Sequence, residues 1–191
     1  MMSLSTDAPD RYRRLSSRFT EIVGAVPPSS WSRPSPCDDW TALDVLSHVT
    51  TTQLDLLGRM PFAPEDVVAR VDCTDPLAAW PTVRDLVQGS LDTPSEADCA
   101  YEGYFGPTTF ADTISSFYNA DLVLHGWDIA TAASLSAYAI VDPDEIIRVR
   151  GDFEPYQDTI RMPGIFGPER EVGSGASDQD RFLAWTGRRT S

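Results

Sequence analysis

The sequence predicts an all-α fold, an antiparallel four-helix bundle with a short C-terminal extension. Three observations carry that expectation. Apolar residues recur at helical spacing along four long segments. Three of those segments open on a capping-box or cap-plus-proline signal. The chain between them offers only loop or short extended stretches. Amphipathic stripes of this kind need partners, and packing them against one another buries all four. At 191 residues the chain reads as one domain spanning 1–191, long enough to bury a core without disulfide staples.

The first helix covers 10–26 and carries Tyr12, Leu15, Phe19, Ile22, Val23 and Val26 on its apolar face. Asp7 or Asp10 would cap it, and Pro27-Pro28 stops it. A Pro/Ser-rich loop over 28–40 follows. The second helix begins at Thr41, where Thr41-Ala42-Leu43-Asp44 has the shape of a capping box with Asp in place of Glu. Its stripe is Leu43, Leu46, Val49, Leu54 and Leu57, and Gly58 and Pro61 mark its end. Asp75-Pro76 then pairs an N-cap with proline at the first helical position. The third helix runs over 76–91 through Trp80, Val83, Val87 and Leu91, and Pro81 within it implies a kink or a later start. Residues 92–108 read as loop or short extended segments closed by Phe105-Gly106-Pro107. The fourth helix opens on a capping-box pattern at Thr109 to Asp112 and continues to about Ala133. Asp142-Pro143 signals a short fifth helix. The tail over 160–191 is broken by Pro163, Gly164, Gly167 and Pro168 before a last short helix over 177–187.

The formal net charge is −14, and every basic residue is arginine. Such a surface repels phosphate backbones and anionic membranes, so neither nucleic acid nor a membrane is expected as a partner. A small-molecule substrate remains, and spare apolar helix faces would suit a homodimer. Cys37, Cys73 and Cys99 are odd in number and form no CxxC pair, which fits reduced thiols in the cytoplasm. The first ten residues lack the basic and apolar runs of a signal peptide. No apolar stretch approaches the ~18 residues of a membrane span. A soluble, cytoplasmic protein is expected.

The chain contains two histidines, His48 and His125, both within predicted helices. His125 lies four residues after Asp121, so the two side chains project from one face, one turn apart. A carboxylate and an imidazole on adjacent turns, facing an imidazole from another helix, can hold a metal ion inside a bundle. Two His and one carboxylate would leave coordination positions open for water or substrate. Zn²⁺ suits this donor set first, with Ni²⁺, Fe²⁺ or Mn²⁺ as alternatives. Spacing by itself equally fits a solvated i,i+4 ion pair beside a hydrogen-bonded core histidine.

The flanking residues are more specific. Pro34-Ser35-Pro36-Cys37-Asp38-Asp39-Trp40-Thr41, followed by His48, resembles the proline-(Ser/Thr)-proline-Cys-x-x-Trp-(Ser/Thr)…His signature of the mycothiol-dependent maleylpyruvate isomerase N-terminal family, within the DinB-like superfamily. Asp121-Leu122-Val123-Leu124-His125-Gly126-Trp127-Asp128-Ile129-Ala130 resembles the family's (Glu/Asp)-x-x-x-His-x-Trp-Asp-(Leu/Ile)-Ala signature. Phe166-Gly167-Pro168-Glu169-Arg170 and the segment from Asp178 to Ala184 resemble the ending of its short, actinobacterial-type members. The resemblance thus covers 10–188. It implies a DinB-like bundle with a divalent metal between the second and fourth helices, held by His48, Asp121 and His125. Asp121 stands where the isomerase itself has Glu, one methylene longer. The isomerase also has a further C-terminal domain that helps form its active site. This chain is expected to lack one, which argues against the isomerase's own activity. The superfamily's wider theme implies metal activation of a low-molecular-weight thiol such as mycothiol, whose thiolate forms at the metal.

Other residues have plainer readings beside functional ones. Cys37 reads as a small packing residue rather than a redox thiol or a metal ligand. Asp44 reads as the helix cap rather than the partner of His48. Trp40 and Trp127 read as core anchors, and as pocket walls if the site is open. Asp128 reads as a surface or structural acid rather than a base. Arg84 reads as a solvated helix arginine rather than a substrate clamp. Tyr101, Tyr104 and Phe105 fall where a pocket mouth would be. Three functions follow: a metal-dependent thiol transferase or isomerase; a biosynthetic bundle acting on a hydrophobic intermediate as cyclase, isomerase or hydrolase; or a metal- or ligand-binding module without catalysis.

Overall fold

The structure, a computed structural model, describes residues 7–63, 65–157, 159–161 and 165–190. The first six residues, part of the stretch read as lacking a signal peptide, lie outside the described residues. So do 163–164, read as breakers in the tail. The fold is all-α and DinB-like, with helices added at the C-terminal end. Helix α1 spans Ala8–Ala25 and α2 Ala42–Gly58. A short α3, Glu65–Val68, precedes α4, Pro76–Leu91, and a further turn, α5, Pro94–Ala97. A two-stranded antiparallel hairpin of β1, Ala100–Gly103, and β2, Gly106–Thr109, occupies the segment read as loop or extended. The fourth long helix is continuous but not uniform. It comprises α6, Phe110–Thr113, a π-helical turn over Ile114–Tyr118, and α7, Asn119–Ala132. Helices α8, Pro143–Phe153, and α9, Asp178–Trp185, complete the C-terminal part.

The local signals explain most of these boundaries. At α2, Thr41 Oγ1 accepts the Asp44 N–H at 3.2 Å, and the Asp44 carboxylate accepts the Thr41 N–H at 2.8 Å. This is the capping box, and it fixes the helix that carries His48. Asp75 caps α4 by accepting the Ala78 N–H, so the helix starts at Pro76 despite Pro81. The carbonyl that Pro81 leaves without a donor is that of Leu77, in the partly exposed first turn. Helix α1 starts two residues earlier than its periodicity suggests. Asp7 stands at its N-cap position, but its carboxylate pairs with Arg148 of α8 at 2.7 and 2.9 Å instead of capping.

Helices α1, α4, α2 and α7 form a ring in that order, each packing on its two neighbours. Arg13 reaches Asp92, while Phe19 meets Trp80, so α1 and α4 run antiparallel. Cys37 meets Asp128 and His48 meets Asp121, so α2 and α7 also run antiparallel. Arg11 reaches the Ser115 carbonyl and Ile22 lies against Gly126, so α1 and α7 run in the same direction. Antiparallel and parallel neighbours therefore alternate, and the long connection over 59–75 carries the chain back for the parallel α2–α4 pair.

Two hydrophobic clusters meet at α7. One is the bundle core, with Leu46, Val49, Phe19, Trp80, Val83 and Ile129. The other joins Ala120, Leu124 and Trp127 to α8, α9 and the tail through Val149, Phe153, Phe166 and Phe182. Trp127 is thus a core anchor of the second cluster. Gly126 lets α1 approach closely, since a Cβ there would sit 3.2 Å from Ile22 Cδ1. Leu43, assigned to the apolar stripe of α2, is partly exposed.

Phe19 packs edge-to-face on Trp80 at 4.9 Å between ring centroids and is buried. Phe19→Ala is expected to cost about 3–5 kcal/mol in urea unfolding. A loss below about 1 kcal/mol would show that α1 and α4 repack around the gap.

Candidate metal centre

His48 on α2 and Asp121 and His125 on α7 come together on one side of the bundle. Their ligating atoms all lie within 4.8 Å of one another. Asp121 faces both imidazoles, Oδ2 at 3.8 Å from His48 Nε2 and Oδ1 at 3.9 Å from His125 Nε2. Both distances exceed hydrogen-bond length, so three lone-pair donors converge without satisfying one another. Atoms bonded at ~2.0–2.2 Å to a tetrahedral ion lie roughly 3.3–3.6 Å apart, so a small inward shift closes the set on a Zn²⁺-sized ion. The donors therefore fit a metal. Trp40 packs on both rings, 4.9 Å from His48 and 6.1 Å from His125, and restricts their rotation.

The protonation pattern favours ligation. Asp128 Oδ2 lies 2.9 Å from His125 Nδ1. Arg188 grips the same carboxylate in a fork, Nε donating to Oδ1 at 2.9 Å and Nη2 to Oδ2 at 2.7 Å. Burial alone would push the Asp128 carboxyl up. The Arg188 charge and the hydrogen bonds from His125 and Arg188 outweigh it and bring it down to about 2. An ionised Asp128 can only accept, so His125 donates from Nδ1, and the lone pair of the neutral ring is the one on Nε2, toward Asp121 and His48. At His48, burial lowers the pKa, His125 adds to the effect and Asp121 opposes it, which leaves the ring neutral near pH 7.

Cys37, read as a packing residue, also donates its S–H to Asp128 Oδ2 at 3.2 Å. Burial, reinforced by Asp128, pushes this thiol well above its ordinary value, so it stays protonated and is a poor nucleophile. Cys37, His125 and Asp128 form a second group of converging donors, but their atoms already hydrogen-bond to one another.

The triad opens onto a cleft of about 1110 Å³. The α2 residues His48, Thr52 and Leu56 and the capping Arg59 line it, with Tyr118 facing from the fourth long helix. Tyr101, Tyr104 and Phe105 of the hairpin region line it too, at the position expected for its mouth. Aromatic rings form a further wall, with Phe105 stacked on Phe117 at 5.4 Å and tilted against Tyr156 at 4.3 Å. The C-terminal tail supplies Phe166, Arg170 and Arg188. Arg188 is engaged by Asp128, and Arg170 by the Gly187 carbonyl and Asp38. Among the described residues, Arg59 alone of the cleft's three arginines has neither hydrogen bond nor ion pair.

Asp44 caps its helix, as read. Arg84 lies away from the cleft, bonded to Asp85 and Thr20. Asp128 is fully buried, so the surface reading fails and the structural one holds. Arg188 was not foreseen. Its only local signal is the glycine before it, and its partner is 60 residues away.

The family model described as "Mycothiol maleylpyruvate isomerase N-terminal domain" matches residues 12–130. Two proteins of Mycobacterium tuberculosis are similar to the chain: "Uncharacterized protein MT0763" of strain CDC 1551 / Oshkosh and "Uncharacterized protein Rv0738" of strain ATCC 25618 / H37Rv. Each is 22% identical over 179 residues, covering 93% of this chain and 95% of the relative. No solved structure matches significantly. No described helix is long and apolar enough to cross a membrane.

The depressed Asp128 value has a pH signature. Its carboxyl ionises near 3.9 when unfolded and near 2 when folded, so the pairing stabilises fully above about pH 4 and is lost as pH falls through about 2. In chelator-treated protein, Asp128→Asn is expected to cost about 3–5 kcal/mol at neutral pH by leaving Arg188 buried and unpaired. It should also flatten the acid limb of stability between about pH 4 and 2. An unaltered acid limb in urea titrations of the variant would assign that loss to other carboxylates.

Proposed function

This chain belongs to the mycothiol maleylpyruvate isomerase N-terminal domain family, and from that premise we propose that it is a metal-dependent enzyme acting on a small molecule in the cleft beside His48, Asp121 and His125. The observation that carries the proposal is the triad itself. Three donors from two helices aim unshared lone pairs at one point, at the edge of a cleft roomy enough for a thiol cofactor and a substrate together. A divalent ion there, Zn²⁺ first and Ni²⁺, Fe²⁺ or Mn²⁺ as alternatives, would supply Lewis acidity to lower the pKa of a thiol such as mycothiol, or of water.

The chain's own residues account for the rest. His48 reaches the centre neutral through burial, and His125 is oriented by the bond between its Nδ1 and Asp128. Asp121 would supply the one anionic ligand of the three, leaving a bound dication with net positive charge. Trp40 limits water on one side of the rings. Tyr118 is held as a neutral phenol, because burial and then Asp121 push its pKa up, and it can donate a hydrogen bond within the cleft. Arg59, which among the described residues has no ion pair, offers its guanidinium to an anionic group just past the end of α2, eleven residues and about 16 Å along from His48. The Cys37 thiol is not the nucleophile, since it is protonated and already spent on Asp128. Transfer of the thiol to an electrophilic small molecule, or thiol-assisted isomerisation, follows as the reaction class.

The aromatic wall favours a second reading. Phe105, Phe117 and Tyr156 would suit a planar or apolar intermediate, which the metal would activate without a thiol.

Purified protein is expected to carry about one equivalent of metal by mass spectrometry, and His48→Ala and His125→Ala to lose it while remaining folded. Protein that stays folded yet cannot be loaded would sink the metal reading. In Co²⁺-loaded protein, mycothiol should produce a sulfur-to-metal charge-transfer band. Loading without such a band would favour the second reading.

A further inference from the structure

Arg188 reaches the metal ligand His125 chiefly through the Asp128 carboxylate, its own Nη2 lying at a longer 3.5 Å from His125 Nδ1. It is 6% exposed, in a tail segment that follows α9. The turn that brings it inward is specific. Gly187 has φ +88°, a conformation that disfavours any side chain. Its N–H donates to the Ala184 carbonyl at 2.9 Å, and the Arg188 N–H to that of Leu183 at 3.0 Å. The chain thereby reverses at the end of α9 and drives Arg188 into the bundle. Gly187 also crosses Gly167 closely, since a Cβ on Gly187 would lie 2.7 Å from the Gly167 Cα. Flanking residues fix the crossing to the loop before α2, with Arg170 and Arg189 both on Asp38 at 2.9 and 3.1 Å.

We propose that Arg188 is a positioning residue for the metal centre, acting through Asp128 on His125, so that docking of the C-terminal tail and metal binding are coupled. The inference rests on the reading of the triad as a metal site. The fork from Arg188 uses both Asp128 oxygens and so fixes the carboxylate plane. That plane fixes the direction of the Nδ1–H bond, and with it the aim of Nε2 on the opposite side of the imidazole. With Arg188 withdrawn, Cys37 is the other donor seen on Oδ2 besides His125, and a thiol is a weak one. Asp128 could then turn, and His125 with it. Coupling is reciprocal: whatever the docked tail adds to metal affinity, bound metal returns to tail docking.

The test measures Zn²⁺ affinity of the full chain by competition with a chromophoric chelator. Arg188→Gln and Gly187→Ala are each expected to weaken Zn²⁺ binding by about 10–100-fold, the usual effect of losing a ligand's hydrogen-bond partner. Gly187→Ala is informative because it alters no polar side chain in the relay. Arg188→Lys keeps the charge but not the fork and should fall between parent and Arg188→Gln. Arg11→Gln is the control for general destabilisation. Arg11 is equally buried, but it pairs with Glu145 and the Ser115 carbonyl and has no contact with the triad. It should lower the melting temperature and leave Zn²⁺ affinity within about threefold of the parent, on the ordinary independence of distant sites. Should the tail variants not fold, the parent still decides the matter, because Zn²⁺ loading must slow amide exchange across 186–190. Parent-like affinity in folded Arg188→Gln, or tail exchange indifferent to Zn²⁺, would overturn the coupling and leave the metal site standing. A parent that binds no Zn²⁺ would overturn both.

Discussion

The constraint on which the rest of the molecule depends is the burial of α7. Most soluble helices bury one stripe and wet the other. Helix α7 has no such choice, because the bundle core packs on one side of it and the C-terminal helices on another. Among its fourteen residues, Asp121, Val123 and Thr131 escape full burial. A buried polar side chain on such a helix is costly unless it has a partner or an opening. His125 and Asp128 have partners and Asp121 has the opening, while Asn119 is buried with its side-chain amide unpaired among the described residues. The position of the cleft follows from where the enclosure is incomplete.

The electrostatics obey the same logic. Two buried arginines sit on either side of the fourth long helix, and each neutralises acids that would otherwise be costly to bury. Arg11 holds Glu145 at 2.7 Å and joins α1 to α8. Arg188 holds Asp128 at 2.7 Å and joins the tail to α7. The strong negative charge of the chain is thus a surface property, while its interior is paired. The C-terminal part is attached to the bundle by buried ion pairs as well as by apolar packing.

Much of this was legible in the sequence, for identifiable reasons. Helices whose apolar spacing coincides with a cap, such as the one opened by Thr41 and Asp44, were placed within a residue or two. The approach of His48 to Asp121 and His125 was legible because the i,i+4 pair and the family's two signatures coincide. The alternation of parallel and antiparallel neighbours was not, since periodicity records which face of a helix is apolar and says nothing of direction. Asp128 stayed open between surface and interior because an aspartate three residues after a histidine looks alike in both settings. Its charge is compensated by Arg188, and a contact across 60 residues leaves no local trace.

The π-helical turn at Ile114–Tyr118 sets the helical reading frame of everything after it. Such a turn amounts to one residue more than an α-helix would use for the same advance. Shortening this stretch by one residue would restore α geometry and turn α6 and α7 about 100° relative to each other. Either the hairpin would swing away from the cleft, or Asp121 and His125 would swing away from His48. Length here, and not composition, determines whether the two walls of the pocket face each other. Among relatives, the spacing between the hairpin and the Asp-x-x-x-His pair should therefore tolerate substitution far better than insertion or deletion.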